Sequence, residues 1–95
     1  MKIDKILFRE GPYSEYFSQG VQVGNILTLA GQVGDGKDGE IPDNLKEQME
    51  NCYENIQNVL HEFGASLENI IDETWFVTDV KECMDNVVEI FLARE

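Results

Sequence analysis

The chain has 95 residues, 42% of them hydrophobic, and a net charge of −12 from seven Lys and Arg against nineteen Asp and Glu. That is material for one domain, residues 1–95, with a modest core, and no apolar run approaches the ~20 residues of a membrane span. The acidic balance argues against nucleic acid and anionic membranes, whose binding draws on cations that neutralise phosphates; with no signal-like opening, a cytoplasmic setting is expected.

In chain order, Ile3 to Arg9 reads as a strand, and Glu10-Gly11-Pro12-Tyr13 as a turn or loop. Val21 and Val23 alternate with Gln22, the period of a half-buried strand. Gly24-Asn25 then offers two residues that tolerate positive φ, as a tight hairpin turn requires. Ile26 to Ala30 is apolar almost throughout and is expected to be a central strand covered on both faces. Gly31 follows, where a missing side chain lets another group approach the backbone. A hairpin ending in an exposed Gly31-Gln32 backbone is a floor for a small-molecule pocket.

Residues 34–39 form a polar loop, and Asp43 or Asn44 can cap the helix after Pro42. Leu45, Met49, Cys52, Tyr53, Ile56, Val59, Leu60 and Phe63 make one helical stripe, and Gly64 suits the C′ position. Ile70 to Thr78, rich in β-branched and aromatic residues, reads as a strand. Asp79 can cap a second helix, with Glu82 placed as in a capping box; its stripe is Val80, Cys83, Met84, Val87, Val88 and Phe91. The order is strand, hairpin, helix, strand, helix, and the last helix reaches Glu95 uncapped. The domain is therefore expected to be incomplete at its C-terminus.

Most motifs have a plain reading. Gly34-x-Gly36-x-x-Gly39 matches a dinucleotide fingerprint in letters only, because the helix starts beyond Pro42 and Asp35 and Asp38 would repel phosphate; a mobile loop is the better account. Lys37 and Gly39 break the ligand alternation of a calcium loop. Cys52 and Cys83 belong to no CxxC, and the single His61 cannot complete a zinc set with them; buried free thiols are expected. Glu47, Glu50 and Glu54 fit a solvated helix face, and Arg94 a surface position. No Ser-His-Asp, Cys-His or paired-carboxylate arrangement can be read from spacing.

Several stretches together resemble the reactive intermediate deaminase family, also called Rid or YjgF-like. They are Gly11-Pro12-Tyr13-Ser14, the run from Gln19 to Asn25, Ala30-Gly31-Gln32-Val33, Gly39-Glu40-Ile41-Pro42, Gln48 with Asn55-Ile56, Gly64-Ala65-Ser66-Leu67, and Thr74 to Asp79. The resemblance runs in order from about Lys5 to Phe91. It implies an α+β fold of the chorismate-mutase-like type: a mixed sheet with two helices on one face, here with the C-terminal strands missing. It implies a homotrimer with pockets between subunits, no cofactor and no metal. It also implies hydrolysis of enamine and imine acids, such as 2-aminoacrylate, to 2-keto acids and ammonia. Some members have been described as endoribonucleases, which the charge here disfavours.

The resemblance also marks site positions. The family's pocket tyrosine falls on Tyr13 by motif, with four extra residues before Gln19, or on Phe17 without a gap. The backbone around Ala30, Gly31 and Gln32 would polarise the reacting centre, with Ala30 standing where a serine is common. A position often held by Asn falls on Val87, with Asn86 adjacent. The arginine that grips the substrate carboxylate lies in a Pro-Ala-Arg-Ser stretch beyond the second helix. Ala93-Arg94 arrives too early to take that role. Little or no deamination is therefore expected of the 95-residue chain, with a non-catalytic ligand-binding member or a short interaction module as the alternatives. Two helices cover only one face of such a sheet, so the apolar residues left on the other predict a homo-oligomer.

Overall fold

The structure, a computed structural model, describes residues 4–12 and 14–94, with only the backbone of residues 93 and 94. Tyr13, the predicted strand start at Ile3 and the Arg94 side chain lie outside the described residues. The fold is α+β. Strands β1 (Ile6–Phe8), β2 (Gly20–Val23) and β3 (Ile26–Leu29) precede helix α1 (Leu45–Glu62); a 3-10 turn at Leu67–Asn69 leads on to α2 (Val80–Asp85) and α3 (Val87–Arg94). The sheet is antiparallel in the order β1-β2-β3.

The hairpin turns as its sequence requires. Val23 pairs with Ile26, leaving Gly24 and Asn25 as the loop. Gly24 takes a φ of 60° while no non-glycine residue among those described has positive φ, so one positive φ is enough, as in a II′-type turn. Phe8, Gly20 and Leu29 are cross-strand partners and share one face of the sheet. On that face α1 lays down Val59 and Phe63. A Cβ on Gly20 would stand 2.7 Å from the Phe63 ring and 3.2 Å from Val59. The missing side chain lets the helix sit flat against the strand. Phe8 meets the same ring edge-on, with centroids 6.5 Å apart, a favoured aromatic geometry.

The opposite face carries Leu7, Val21, Val23 and Ile26, and here the expectation of a doubly covered central strand fails. β3 is an edge strand, and Ile26 is 61% exposed. Nothing in the described chain lies across that face, because α1 is used on the other side.

Helix α1 follows the predicted stripe closely. Met49, Tyr53, Val59 and Leu60 are buried, and Leu45, Cys52, Ile56 and Phe63 half-buried. Asn44 caps the start, its Oδ1 accepting from the Glu47 N–H at 2.8 Å. A Schellman motif closes the end: Gly64, at φ 74°, donates to His61 while Ala65 donates to Leu60. The two halves of α1 serve different partners. Its C-terminal half carries the hairpin, and its N-terminal half packs Met49 and Tyr53 against Cys83 and Ile90, with Leu67, Trp75 and Val77 around them.

Two expectations need correction after α1. Residues 70–78 form no strand. Their side chains alternate as in one, Glu73, Trp75 and Val77 turned in and Thr74 and Phe76 out, but among the described residues no strand lies beside them to pair. The second helix is broken at Asn86, whose side-chain Nδ2 donates to the Glu82 carbonyl at 2.7 Å. A side chain that bonds the carbonyl four residues back bends a helix, while the Asn86 N–H still donates to the Glu82 carbonyl and the Ile90 N–H to that of Asn86. Asn86 sits at φ −113°, ψ 13°. The break turns the buried face onto Cys83 and Ile90 and leaves Val80, Met84 and Val88 at 68%, 62% and 68% exposed. The predicted stripe therefore holds for Cys83 and half-buried Val87, misses Ile90, and fails for Val80, Met84 and Val88, while Phe91, 47% exposed, rests on Trp75.

Candidate ligand site

After β3 the chain does not fold back at once. Residues 30–42 run as a strap along α1, and side-chain amides of the helix hold its carbonyls. Asn51 donates to Gly34 O at 3.1 Å, and Asn55 to Val33 O at 3.1 Å and to the Asp35 carbonyl and carboxylate at 3.2 and 3.0 Å. Gln48 donates to Pro42 O. A Cβ on Gly34 would lie 2.8 Å from the Gln48 backbone oxygen, so only glycine allows the strap this close. The glycine-rich loop is thus pinned to α1, where its sequence suggested mobility. Lys37 reaches Glu54 at 3.6 Å across the surface.

The strap's first turn holds the predicted floor. The Ala30 N–H donates to the Gln19 carbonyl at 2.9 Å, and Gln32 Nε2 to Gln19 Oε1 at 3.0 Å. Beneath, the Cys52 thiol faces the Gln32 carbonyl at 3.7 Å. Burial, and behind it the Asp35 carboxylate, push that thiol's pKa above its ordinary 9.0, so it stays protonated and is a poor nucleophile. Between Ala30 and Gln32, Gly31 is exposed, and a Cβ on it would meet nothing within 4 Å. The close approaches expected at Gly31 occur instead at Gly20 and Gly34. Gly31 makes no hydrogen bond with another described residue, so its N–H is not used by the described chain.

The other predicted residues are scattered around this point. Phe17, 40% exposed, precedes β2. Asn86 and Val87 stand at the α2–α3 junction, and the hydrogen bonds of Asn86 return to Glu82 and Cys83. The structure therefore joins Ala30, Gly31 and Gln32 into one feature and leaves Asn86 and Val87 on another.

A second polar centre was missed by the sequence reading. Glu73 Oε1 accepts from both Tyr53 OH and Trp75 Nε1, each at 3.2 Å. Trp75 also lies against Phe91, centroids 5.3 Å apart. Trp75 and Phe91, with Ile70 to Thr74, border an open hollow of about 610 Å³. The signal was present: an acid within an apolar stretch, and a tyrosine on an apolar helix stripe, each need a polar partner when buried. Among the described residues no group of His, Cys, Asp and Glu is placed to hold a metal ion. No helix there is long and apolar enough to cross a membrane.

The family model described as endoribonuclease L-PSP matches residues 9–93. The chain belongs to this family. Its relatives include the L-PSP-like proteins named Rid, RutC and YjgF. A RutC family protein of Aquifex aeolicus is 36% identical over 73 residues, 76% of this chain and 55% of the relative. The RutC family protein YjgH of Escherichia coli is 28% identical over 83 residues, covering 86% of this chain and 63% of its own length. Among solved structures, RidA of an Antarctic Psychrobacter superposes with a TM-score of 0.77 at 26% identity, over 100% of this chain and 76% of that one. The chain thus spans about half the length of the first of these curated relatives, and the L-PSP family fold accounts for hairpin, strap and helices in one order.

Proposed function

We propose that the Gly31 end of the hairpin is part of a site for small 2-imino and 2-keto acids, and that the family chemistry served there is hydrolysis of reactive enamine and imine acids to 2-keto acids and ammonia. The observation that supports this is the exposed Gly31 backbone, held on both sides through Gln19 and bordered by open space. A fixed, unused N–H can stabilise charge that develops on a reacting acid. The carboxylate of such a substrate calls for a bidentate cationic partner, for which arginine is best shaped. In this reading it comes from an arginine-bearing segment like the family's, and the pocket is closed by other copies in a trimer. The exposed face of Leu7, Val23 and Ile26 runs on to Ala30 and supports that closure. The net charge of −12 works against RNA as the substrate, and the setting proposed is the cytoplasm.

The test generates 2-aminoacrylate with a serine or threonine dehydratase and follows its disappearance. The 95-residue chain is expected to accelerate it little or not at all, and a version extended by the arginine-bearing segment to accelerate it clearly. Robust acceleration by the short chain, lost on Tyr13→Phe, would instead make Tyr13 a working residue and reject the need for the arginine. Phe17, which has no hydroxyl at the ungapped tyrosine position, favours a second reading: binding of a keto acid without hydrolysis. Calorimetric binding of 2-ketobutyrate by a version that shows no turnover would support it.

A further inference from the structure

We infer that the side chains of Gln19 and Gln32 are a positioning pair for the Gly31 backbone, a role that rests on the small-acid site proposed above. Four other glycines of the fold answer a local demand. Gly24 and Gly64 take positive φ, and Gly20 and Gly34 make room for α1. Gly31 answers neither. It is not among the glycines of positive φ, and a Cβ on it would meet nothing within 4 Å. Glycine leaves the backbone its widest freedom, so Gly31 is by its own chemistry a loose joint between β3 and the strap.

What steadies the joint comes from Gln19. Its N–H donates to the Phe8 carbonyl at 2.7 Å, which ties it to β1. Its carbonyl accepts from the Ala30 N–H at 2.9 Å, on one side of Gly31. Its side-chain Oε1 accepts from Gln32 Nε2 at 3.0 Å, on the other side. Both glutamines are half-buried, where a hydrogen bond is stronger than in open water. The other described bond at Gln32 comes from the Cys52 thiol at 3.7 Å, a weak donor. Among the described residues, the amide pair is therefore the one strong tie between Gly31 and Val33, whose carbonyl Asn55 holds. A backbone donor stabilises charge on a ligand best when its direction is fixed beforehand, and the pair supplies that fixing.

The test uses isotope-labelled protein and two substitutions that keep bulk and remove one partner each, Gln19→Leu and Gln32→Leu. Amide relaxation by NMR on the ligand-free 95-residue chain reads Gly31 directly. Its order parameter is expected near the ~0.85 of rigid backbone in the wild type and below ~0.6 in both variants. Gln19→Glu keeps the accepting oxygen and is expected to keep Gly31 ordered. 2-Ketobutyrate is then titrated into the 95-residue chain and into the version extended by the arginine-bearing segment, with binding read from amide shifts. Both leucine variants are expected to bind roughly three- to tenfold more weakly than the wild type, the worth of one hydrogen bond. A pair that only stabilised the fold would lower the urea midpoint and leave the order of Gly31 and the affinity of the folded protein unchanged. An ordered Gly31 or undiminished affinity in either leucine variant would overturn the pair and leave the site reading standing. No binding by either wild-type form would reject the small-acid reading, and the pair's role with it.

Discussion

The two ends of α1 serve two regions that are built very differently. Between Gly20 and Gly64 almost every apolar side chain of the helix stripe is covered, and helix amides hold the strap's carbonyls. From Ile70 to Leu92 the chain is as rich in apolar residues, yet Ile71, Phe76, Val88 and Leu92 stand 62% exposed or more. The radius of gyration, 14.5 Å, exceeds the ~13 Å of a compact 100-residue domain. The difference lies in where the partners are. The hairpin's inner face, the strap's carbonyls and the helix stripe find theirs within a few dozen residues of the same chain, while Ile26 and Val33 stay exposed. The later stretch is patterned for partners on both faces and meets only the one that α1 supplies.

The sharpest test of that contrast lies within α3. Ile90 is fully buried against Met49 and Tyr53, while Val88, two residues earlier, is 68% exposed. Ile90→Ala is expected to cost about 2–5 kcal/mol, the range for truncating a large aliphatic core residue. Val88→Ala should change stability by no more than about 0.5 kcal/mol in the isolated chain. Urea unfolding midpoints at constant m-value read both. Equal losses would mean that Val88 is covered in solution, and that the exposed region finds a second partner there.

A smaller effect separates two glycines of the strap. Gly34→Ala places a Cβ against the backbone of Gln48 at 2.8 Å. Backbone cannot move aside as a side-chain tip can, so about 1–3 kcal/mol of overpacking is expected. Gly31→Ala meets open space and is expected to leave the melting curve unchanged while weakening binding at the proposed small-acid site. If both melt alike, the strap is not seated on α1 as described.

What could be read in advance follows the same division. The Gly24-Asn25 turn, the Asn44 cap, the α1 stripe and Gly64 are local signals, and each is where the sequence places it. Ile70–Thr78 carried an equally clear strand pattern, but a strand also needs a neighbour, which composition does not supply. Asn86 lay in a helical period, and the bend there comes with a side-chain bond to the Glu82 carbonyl, which a hydrophobic stripe does not reveal. At the candidate site, Ala30, Gly31 and Gln32 were legible because they are contiguous. Glu73 was missed because its partners Tyr53 and Trp75 are brought together only by the packing of α1. The family likeness added Asn86 and Val87, which the described residues leave apart from Gly31.

The least intrusive test concerns Cys52, where strap and helix meet. Its raised pKa comes first from burial under Gln32 and then from the Asp35 carboxylate. Both causes exist only while the strap is seated. Alkylation by iodoacetamide, resolved by mass spectrometry, is therefore expected to be slower at Cys52 than in an unfolded peptide at the same pH. Asp35→Asn should restore part of the rate, because it removes the smaller cause and leaves the burial. The sign of the linked stability follows. A thiol whose pKa is raised by folding favours the folded state fully below the ordinary value of 9.0. Above it the unfolded chain releases its proton first, and the contribution fades as pH rises through the folded value. The urea midpoint of the wild type should then fall more steeply between pH 8 and 10 than that of Cys52→Ala, which has no thiol to titrate. Parallel declines, with Cys52 alkylated as fast as a free peptide thiol, would show that the strap lifts from α1 in solution and that the two regions differ less than their packing indicates.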